Sequence, residues 1–183
     1  MDAAELCYTP ATELSRRIGA RELSPVELAE AVLRRIERLN PTLNAYITVT
    51  ADLAMEQARA AEARALRGEL RGPLDGIPYS LKDLEPTAGV RTTFGSKFFE
   101  HHVPEEDGAV AARLRAAGAV LLGKTNTPHF GHKDMTDSLV APPCRNPWRL
   151  DRTAGGSSGG AGAAVAAGLG PLAHGNDGGG SIR

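Results

Sequence analysis

Residues 77–84 read IPYSLKDL. The run is short and apolar, and turn residues bound it, with RGPLDG at 71–76 just before. It reads as a buried strand with Lys82 set into it. Working outward, 107–118 (DGAVAARLRAAG) has the pattern of a helix starting near Asp107, and 119–126 (AVLLGKTN) that of a strand running into a loop. Farther on, 159–170 (GGAGAAVAAGLG) predicts a helix of small residues and 171–175 (PLAHG) a last short strand. Strands alternating with helices predict an α/β fold, a mixed β-sheet flanked by helices.

Upstream, 22–41 (ELSPVELAEAVLRRIERLNP) carries a well-marked helix. Ser24 suits the N-cap, Pro25 the first helical position, and Glu27 the return bond of a capping box. Val26, Leu28, Ala29, Val32, Leu33, Ile36 and Leu39 form one apolar stripe, and Asn40-Pro41 is expected to stop it. A strand follows around 45–49. Residues 51–69 then form a long helix with a thin apolar face, ended by Gly68. Residues 141–156 (APPCRNPWRLDRTAGG) read as irregular, and no internal repeat is found. The chain thus reads as one domain over 1–183, with 1–70 a mainly helical lead-in and 71–183 the first part of an α/β core.

Composition narrows the class. Hydrophobic residues make up 42% and charged residues 23%, as in an ordinary globular chain. A net charge of −1 leaves no basic footprint for nucleic acid or an anionic membrane. No stretch reaches about 18 apolar residues, so no membrane span is expected. Cys7 and Cys144 lie far apart without CxxC spacing, which disfavours a disulfide framework or a zinc site and fits a reducing cytoplasm. The start, MDAAELCYTP, lacks the charged and apolar regions of a secretory signal.

Two motif matches fail on context. Gly118–Thr125 (GAVLLGKT) fits the spacing of a phosphate-binding loop, but its four central residues look like a strand, and no convincing helix follows. Gly155–Gly159 (GGSSG) fits a nucleophile elbow, which needs a strand before it and an Asp and a His after it. The preceding NPWRLDRTA is a poor strand, and only His174 and Asp177 follow. The five histidines, 101, 102, 129, 132 and 174, show no HExxH pattern, and no metal or cofactor site is expected.

Three separated pieces remain: Lys82 in its apolar strand, Ser157 and Ser158 between glycine pairs, and Ser181 behind Asp177 and three glycines. Burial lowers a lysine's pKa, which lets it act as a base. A serine hydroxyl both donates and accepts, so it can relay a proton. Consecutive glycines before a nucleophile let backbone N–H groups converge as an oxyanion hole. Read from the residues alone, a snorkelling surface lysine and a flexible glycine tail stay open.

The stretches LSPVELAEAVLRRIERLNPTLNAYITV, GPLDGIPYSLKDLEPTAGVRTTFGS, GAVLLGKTNTPHFG and RNPWRLDRTAGGSSGGAGAAVAAGLGPLAHGNDGGGSIR together resemble the amidase signature family. The last is the signature region, and Lys82, Ser157 and Ser181 fall in the family's order. The resemblance implies a Ser–cis-Ser–Lys triad: Ser181 the acyl nucleophile, Ser157 a bridge after a cis peptide bond, and Lys82, neutral at rest, the ultimate base. It also implies oxyanion donors at Gly178, Gly179 and Gly180, with Ser181 itself. Ser158 would be structural or a weak helper, and Asp177 and Arg183 would steady the loop.

The implied activity is hydrolysis of a small-molecule carboxylic amide, with no cofactor, no direct nucleic acid contact and room for a homodimer. Two departures stand out: His129 where relatives commonly carry an acidic residue, and Asn176 where Thr is usual. Family members run to several hundred residues. The resemblance therefore implies an N-terminal portion with an unfinished sheet, exposed apolar surface and little activity by itself. An A-type subunit of glutamyl-tRNA amidotransferase is an alternative, although such chains usually carry an MDEF-like run where this one has TNTPHF. An inactive fragment is the other.

Overall fold

The computed structural model describes residues 2–183; Met1, the first residue of the expected lead-in, lies outside them. Two short helices open the chain, within the lead-in read as mainly helical but not placed individually in the sequence. α1 (Ala3–Cys7) is capped by Asp2, whose carboxylate accepts from Glu5 N at 2.7 Å. α2 (Ala11–Gly19) buries Leu14 and Ile18. α3 (Pro25–Leu43) begins as expected, with Ser24 Oγ accepting from Val26 N and Glu27 N at 3.0 and 3.2 Å. Its buried stripe includes Leu28, Val32 and Ile36.

The expected stop at Asn40-Pro41 is corrected, because α3 continues through both residues to Leu43. A proline in the last turn removes one intrahelical bond, which the packed helix tolerates. The stop is Asn44, left-handed at φ 53°, whose N–H reaches Asn40 O at 2.8 Å.

β1 (Tyr46–Val49) leads to α4 (Ala51–Arg67), which ends at left-handed Gly68 as expected. The thin face of α4 is Ala54, Ala58, Ala61 and Ala65, all buried. Alanine there lets α4 approach closely, with Ala54 and Ala58 packed beside Ala29 of the preceding helix. Next come β2 (Pro78–Lys82), α5 (Ala109–Ala116) and β3 (Val120–Thr125), and every residue of both strands is buried.

The segment read as irregular contains a hairpin, β4 (Arg145–Asn146) against β5 (Arg149–Thr153). β5 is exposed along its whole length, so no burial pattern marked it in the sequence. A strand does therefore precede GGSSG, although it belongs to a separate two-stranded sheet. α6 (Gly159–Ala166) and β6 (Leu172–Ala173) complete the order.

The main sheet runs β1-β3-β2-β6. β2 is parallel to β3 and β6, and β1 is antiparallel to β3, so the sheet is mixed, as expected. One face packs Ile77 and Leu122 with Leu28, Val32, Ile36 and Ala163; the other packs Tyr79, Leu81 and Leu121 against Ala111 of α5. Strand alternation then turns Lys82 away from α5, toward the face that α6 covers.

β3 carries one irregularity. Tyr79 stands opposite Leu121 and Ser80 opposite Gly123, so Leu122 is an extra residue. Gly123, at φ 147°, lies so close to β1 that a Cβ would fall 2.1 Å from Thr48 O. The GKT of the failed phosphate loop is thus strand interior. Lys124 Nζ is engaged by Glu85 O at 2.5 Å, Thr92 Oγ1 at 2.8 Å and Thr87 Oγ1 at 3.0 Å.

α6 docks through Gly160, where a Cβ would lie 2.4 Å from Asn126 N and 2.7 Å from Ala45 O. Gly162, on the exposed side of the same helix, has nothing within 4 Å. Gly160→Ala is therefore expected to lose about 1–3 kcal/mol of stability through overpacking. Gly162→Ala should be neutral or gain about 0.5–1 kcal/mol from helix propensity. Urea midpoints at constant m-value read both, and equal shifts would refute the close approach.

Candidate active site

Lys82 ends β2 with no solvent exposure. Ser157 and Ser158 sit at the mouth of α6, Ser158 as its N-cap, and both are buried. Several contacts hold this corner. Thr127 Oγ1 donates to Ser157 O at 3.2 Å. Thr136 Oγ1 donates to Gly155 O at 2.8 Å and accepts from Gly159 N at 3.1 Å. A Cβ on Gly156 would meet the backbone of Asp134 and Met135 at 2.8 Å, so glycine is needed where these two chain segments touch. The Gly156–Ser157 peptide bond is cis.

The last residues close onto this corner. Lys82 Nζ lies 2.7 Å from Ser157 Oγ, 3.0 Å from Ser158 Oγ and 3.1 Å from Ser181 Oγ. Ser181 Oγ is 3.0 Å from Ser157 Oγ and 2.6 Å from Ser158 Oγ. Ser158 Oγ also reaches Asn176 O at 3.2 Å. The three residues singled out in the sequence, Lys82, Ser157 and Ser181, are brought into one hydrogen-bonded cluster. Ser158 and Asn176 join it, the latter through Oδ1 at 2.7 Å from Lys82 Nζ. Among the described residues, no carboxylate touches Lys82. Burial pushes its ammonium down to about 8, with the negative charge of Asp177 opposing.

Asp177 organises the loop around Ser181. Its carboxylate accepts from Gly180 N at 2.6 Å and from Ile182 N and Arg183 N at 3.2 Å. Arg183 adds a two-pronged contact, Nε at 2.9 Å and Nη2 at 2.7 Å. The guanidinium and the Gly180 N–H hold the Asp177 carboxyl well below the usual carboxylate range. The N–H of Gly180 is therefore engaged by Asp177. Those of Gly178, Gly179 and Ser181 have no acceptor among the described residues. Gly180 sits at φ 114°, a conformation only glycine adopts readily.

Two clefts flank Ser181. One, of about 670 Å³, has Gly178, Gly179, Ser157, Leu84 and Phe130 in its wall. The other, of about 500 Å³, is lined by Ser158, Gly175, Gly180 and Ile182. At the first mouth lies an aromatic group that the sequence reading does not single out. Phe94 and Phe130 stack at 6.3 Å between centroids, and Phe99 meets both edge-on. Phe94-Gly95 and Phe130-Gly131 are paired turns with all four residues left-handed, joined by Phe130 N to Phe94 O at 2.8 Å. The repeated Phe-Gly, in TFG and HFG, is the signal in the sequence that could have found them.

His132 lies in the wall of the first cleft with Ser157 and Ser181, whereas His129 lines neither cleft, and no cluster of three or more potential metal ligands occurs among the described residues. Cys7 and Cys144 are buried and unbridged. No helix among the described residues is long and apolar enough to cross a membrane.

Known proteins resemble this chain along nearly all of its length. The A-type chain of the glutamyl-tRNA(Gln) amidotransferase of Carboxydothermus hydrogenoformans is 47% identical over 179 residues, 98% of this chain and 37% of that protein. An acylamidase of Rhodococcus erythropolis is 44% identical over all 183 residues, 38% of its own length. A solved fatty acid amide hydrolase superposes with a TM-score of 0.94 at 31% identity, covering 99% of this chain and 32% of that one. The chain thus spans about a third of the length of these relatives. The Amidase family model matches residues 27–183, and with the fold and the serine–lysine corner in place, the chain belongs to the amidase family.

Proposed function

We propose that the protein hydrolyses a small-molecule carboxylic amide through a seryl acyl-enzyme, with Ser181 as nucleophile, Ser157 as proton bridge and Lys82 as base. The observation that carries this reading is the unbroken path from Ser181 Oγ to Ser157 Oγ at 3.0 Å and from Ser157 Oγ to Lys82 Nζ at 2.7 Å. In the attack, the lone pair of neutral Lys82 takes the Ser157 proton as Ser157 takes that of Ser181. Ser181 Oγ then bonds to the amide carbon. The developing oxyanion is met by the N–H groups of Gly178, Gly179 and Ser181. Gly180 acts through its contact with Asp177 by shaping the loop.

The C–N bond breaks as a proton returns through Ser157 to the leaving nitrogen, releasing ammonia or an amine. Water then attacks the ester, passes its proton along the same route and restores Ser181. Residues 1–183 act in this reading as one domain, the first part of a larger catalytic core. The unbridged cysteines suit a cytoplasmic setting.

A second reading, an A-type amidotransferase chain working with partner chains, is favoured by the 47% identity to a protein of that name. Against it stands Thr127-Pro128-His129, which replaces the acidic run of such chains. Copurifying partners with glutamine-dependent ammonia transfer would decide for it.

Two outcomes test the first reading in the full-length protein. Ser181→Ala should lower turnover of a simple aryl amide by at least about 10³-fold; turnover equal to wild type would sink the assignment. The rate should also rise with pH through about 8, because below it Lys82 is an ammonium that cannot accept the Ser157 proton. Lys82→Met should cost about 10²–10⁴-fold and flatten that limb. A wild-type limb retained in Lys82→Met would assign the base elsewhere.

A further inference from the structure

Asn176 is drawn into the cluster by its side chain as well as its backbone. Its Oδ1 lies 2.7 Å from Lys82 Nζ, as close as Ser157 Oγ. Four oxygens therefore surround one nitrogen: Asn176 Oδ1, Ser157 Oγ, Ser158 Oγ and Ser181 Oγ. The ammonium has three protons for them, and the neutral amine has two protons and one lone pair. Three of the oxygens belong to hydroxyls, which can donate to that lone pair or accept from an N–H. The amide oxygen has no proton, so it can only accept. Turning the amide to present its NH2 would set donor against donor in the ammonium and would occupy the lone pair of the neutral amine.

We propose that Asn176 is a positioning residue for Lys82: its side-chain carbonyl takes one N–H of Nζ in both protonation states and so turns the lone pair of the neutral amine toward the serines. A threonine hydroxyl at this place could itself donate to the lone pair and compete with Ser157 for the base. Asparagine removes that competitor. The proton path keeps its balance: the lone pair takes the Ser157 proton, the N–H to Asn176 stays in place, and the resulting ammonium has an acceptor ready on that side. The titratable groups facing Lys82 are Asp177 on the nucleophile loop and His174 after β6, and neither supplies this contact.

The inference rests on Lys82 being the base, and the test separates the two. Asn176 is exposed, so substitutions there leave the core alone. In the full-length protein, Asn176→Asp keeps the shape and adds a charge beside Nζ, and it should move the rising limb of the pH–rate profile up by about one unit or more. Asn176→Leu removes the acceptor and should move the limb down, with turnover above the limb falling about 10- to 100-fold. The Lys82 titration, followed by NMR in protein carrying 13Cε-lysine and assigned with Lys82→Met, should move in the same two directions. Limbs and Lys82 titrations unmoved in both variants would overturn the role of Asn176, even if the rates fell. Amide turnover surviving Ser181→Ala would instead overturn the proposed function, while the Lys82 titration would still report on Asn176.

Discussion

The arrangement depends on burying the Lys82 ammonium without giving it a carboxylate. The side chain has no solvent exposure, and its partners are three hydroxyls and one amide oxygen. A buried cation with neutral partners pays for desolvation by losing its proton more easily. The rest of the site serves that environment. Gly160 lets α6 press its first turn onto the end of β3, which carries Ser157 and Ser158 to the lysine. Tyr79 and Leu81 anchor the opposite face of β2, so Lys82 has one direction in which to point.

The loop that carries Ser181 answers a different demand. A serine reached through consecutive glycines has little conformational restraint of its own. Asp177 supplies it from one carboxylate, tying Gly180, Ile182 and Arg183 around Ser181. This tie engages the N–H of Gly180, while those of Gly178 and Gly179, which line the cleft, have no acceptor among the described residues. The two Phe-Gly turns, both left-handed, are likewise tied by a backbone hydrogen bond, and their rings stack beside the cleft.

Much of this was legible in the sequence where burial and chemistry coincide. Lys82 in an apolar run, the Ser24-Pro25 start and the Gly68 stop each state a local rule that the fold obeys. The misreadings lie where tertiary contacts overrule such rules. Pro41 sits inside α3 because packing outweighs one lost hydrogen bond, and β5 has no buried face to leave a period. Gly180 reads like its two neighbours, and only the position of Asp177 sets it apart. Asn176 stood out in the sequence only through a resemblance, because its contact is with a lysine 94 positions earlier.

The extra residue in β3 has a consequence for electrostatics. Without Leu122 as an insertion, Lys124 would pair in register with Lys82, and both side chains would leave the same face of adjacent strands. Two ammonium groups would then share one pocket, each disfavouring the other's charge. The bulge reverses the parity of β3 beyond it, so Lys124 emerges among Thr87 and Thr92 on the far side, with Asp83 at 3.9 Å. The sheet becomes a partition between two buried cations. Burial pushes each ammonium down to about 8, but Lys124 has Asp83 and the Glu85 carbonyl beside it, while Lys82 meets three hydroxyls and one amide oxygen.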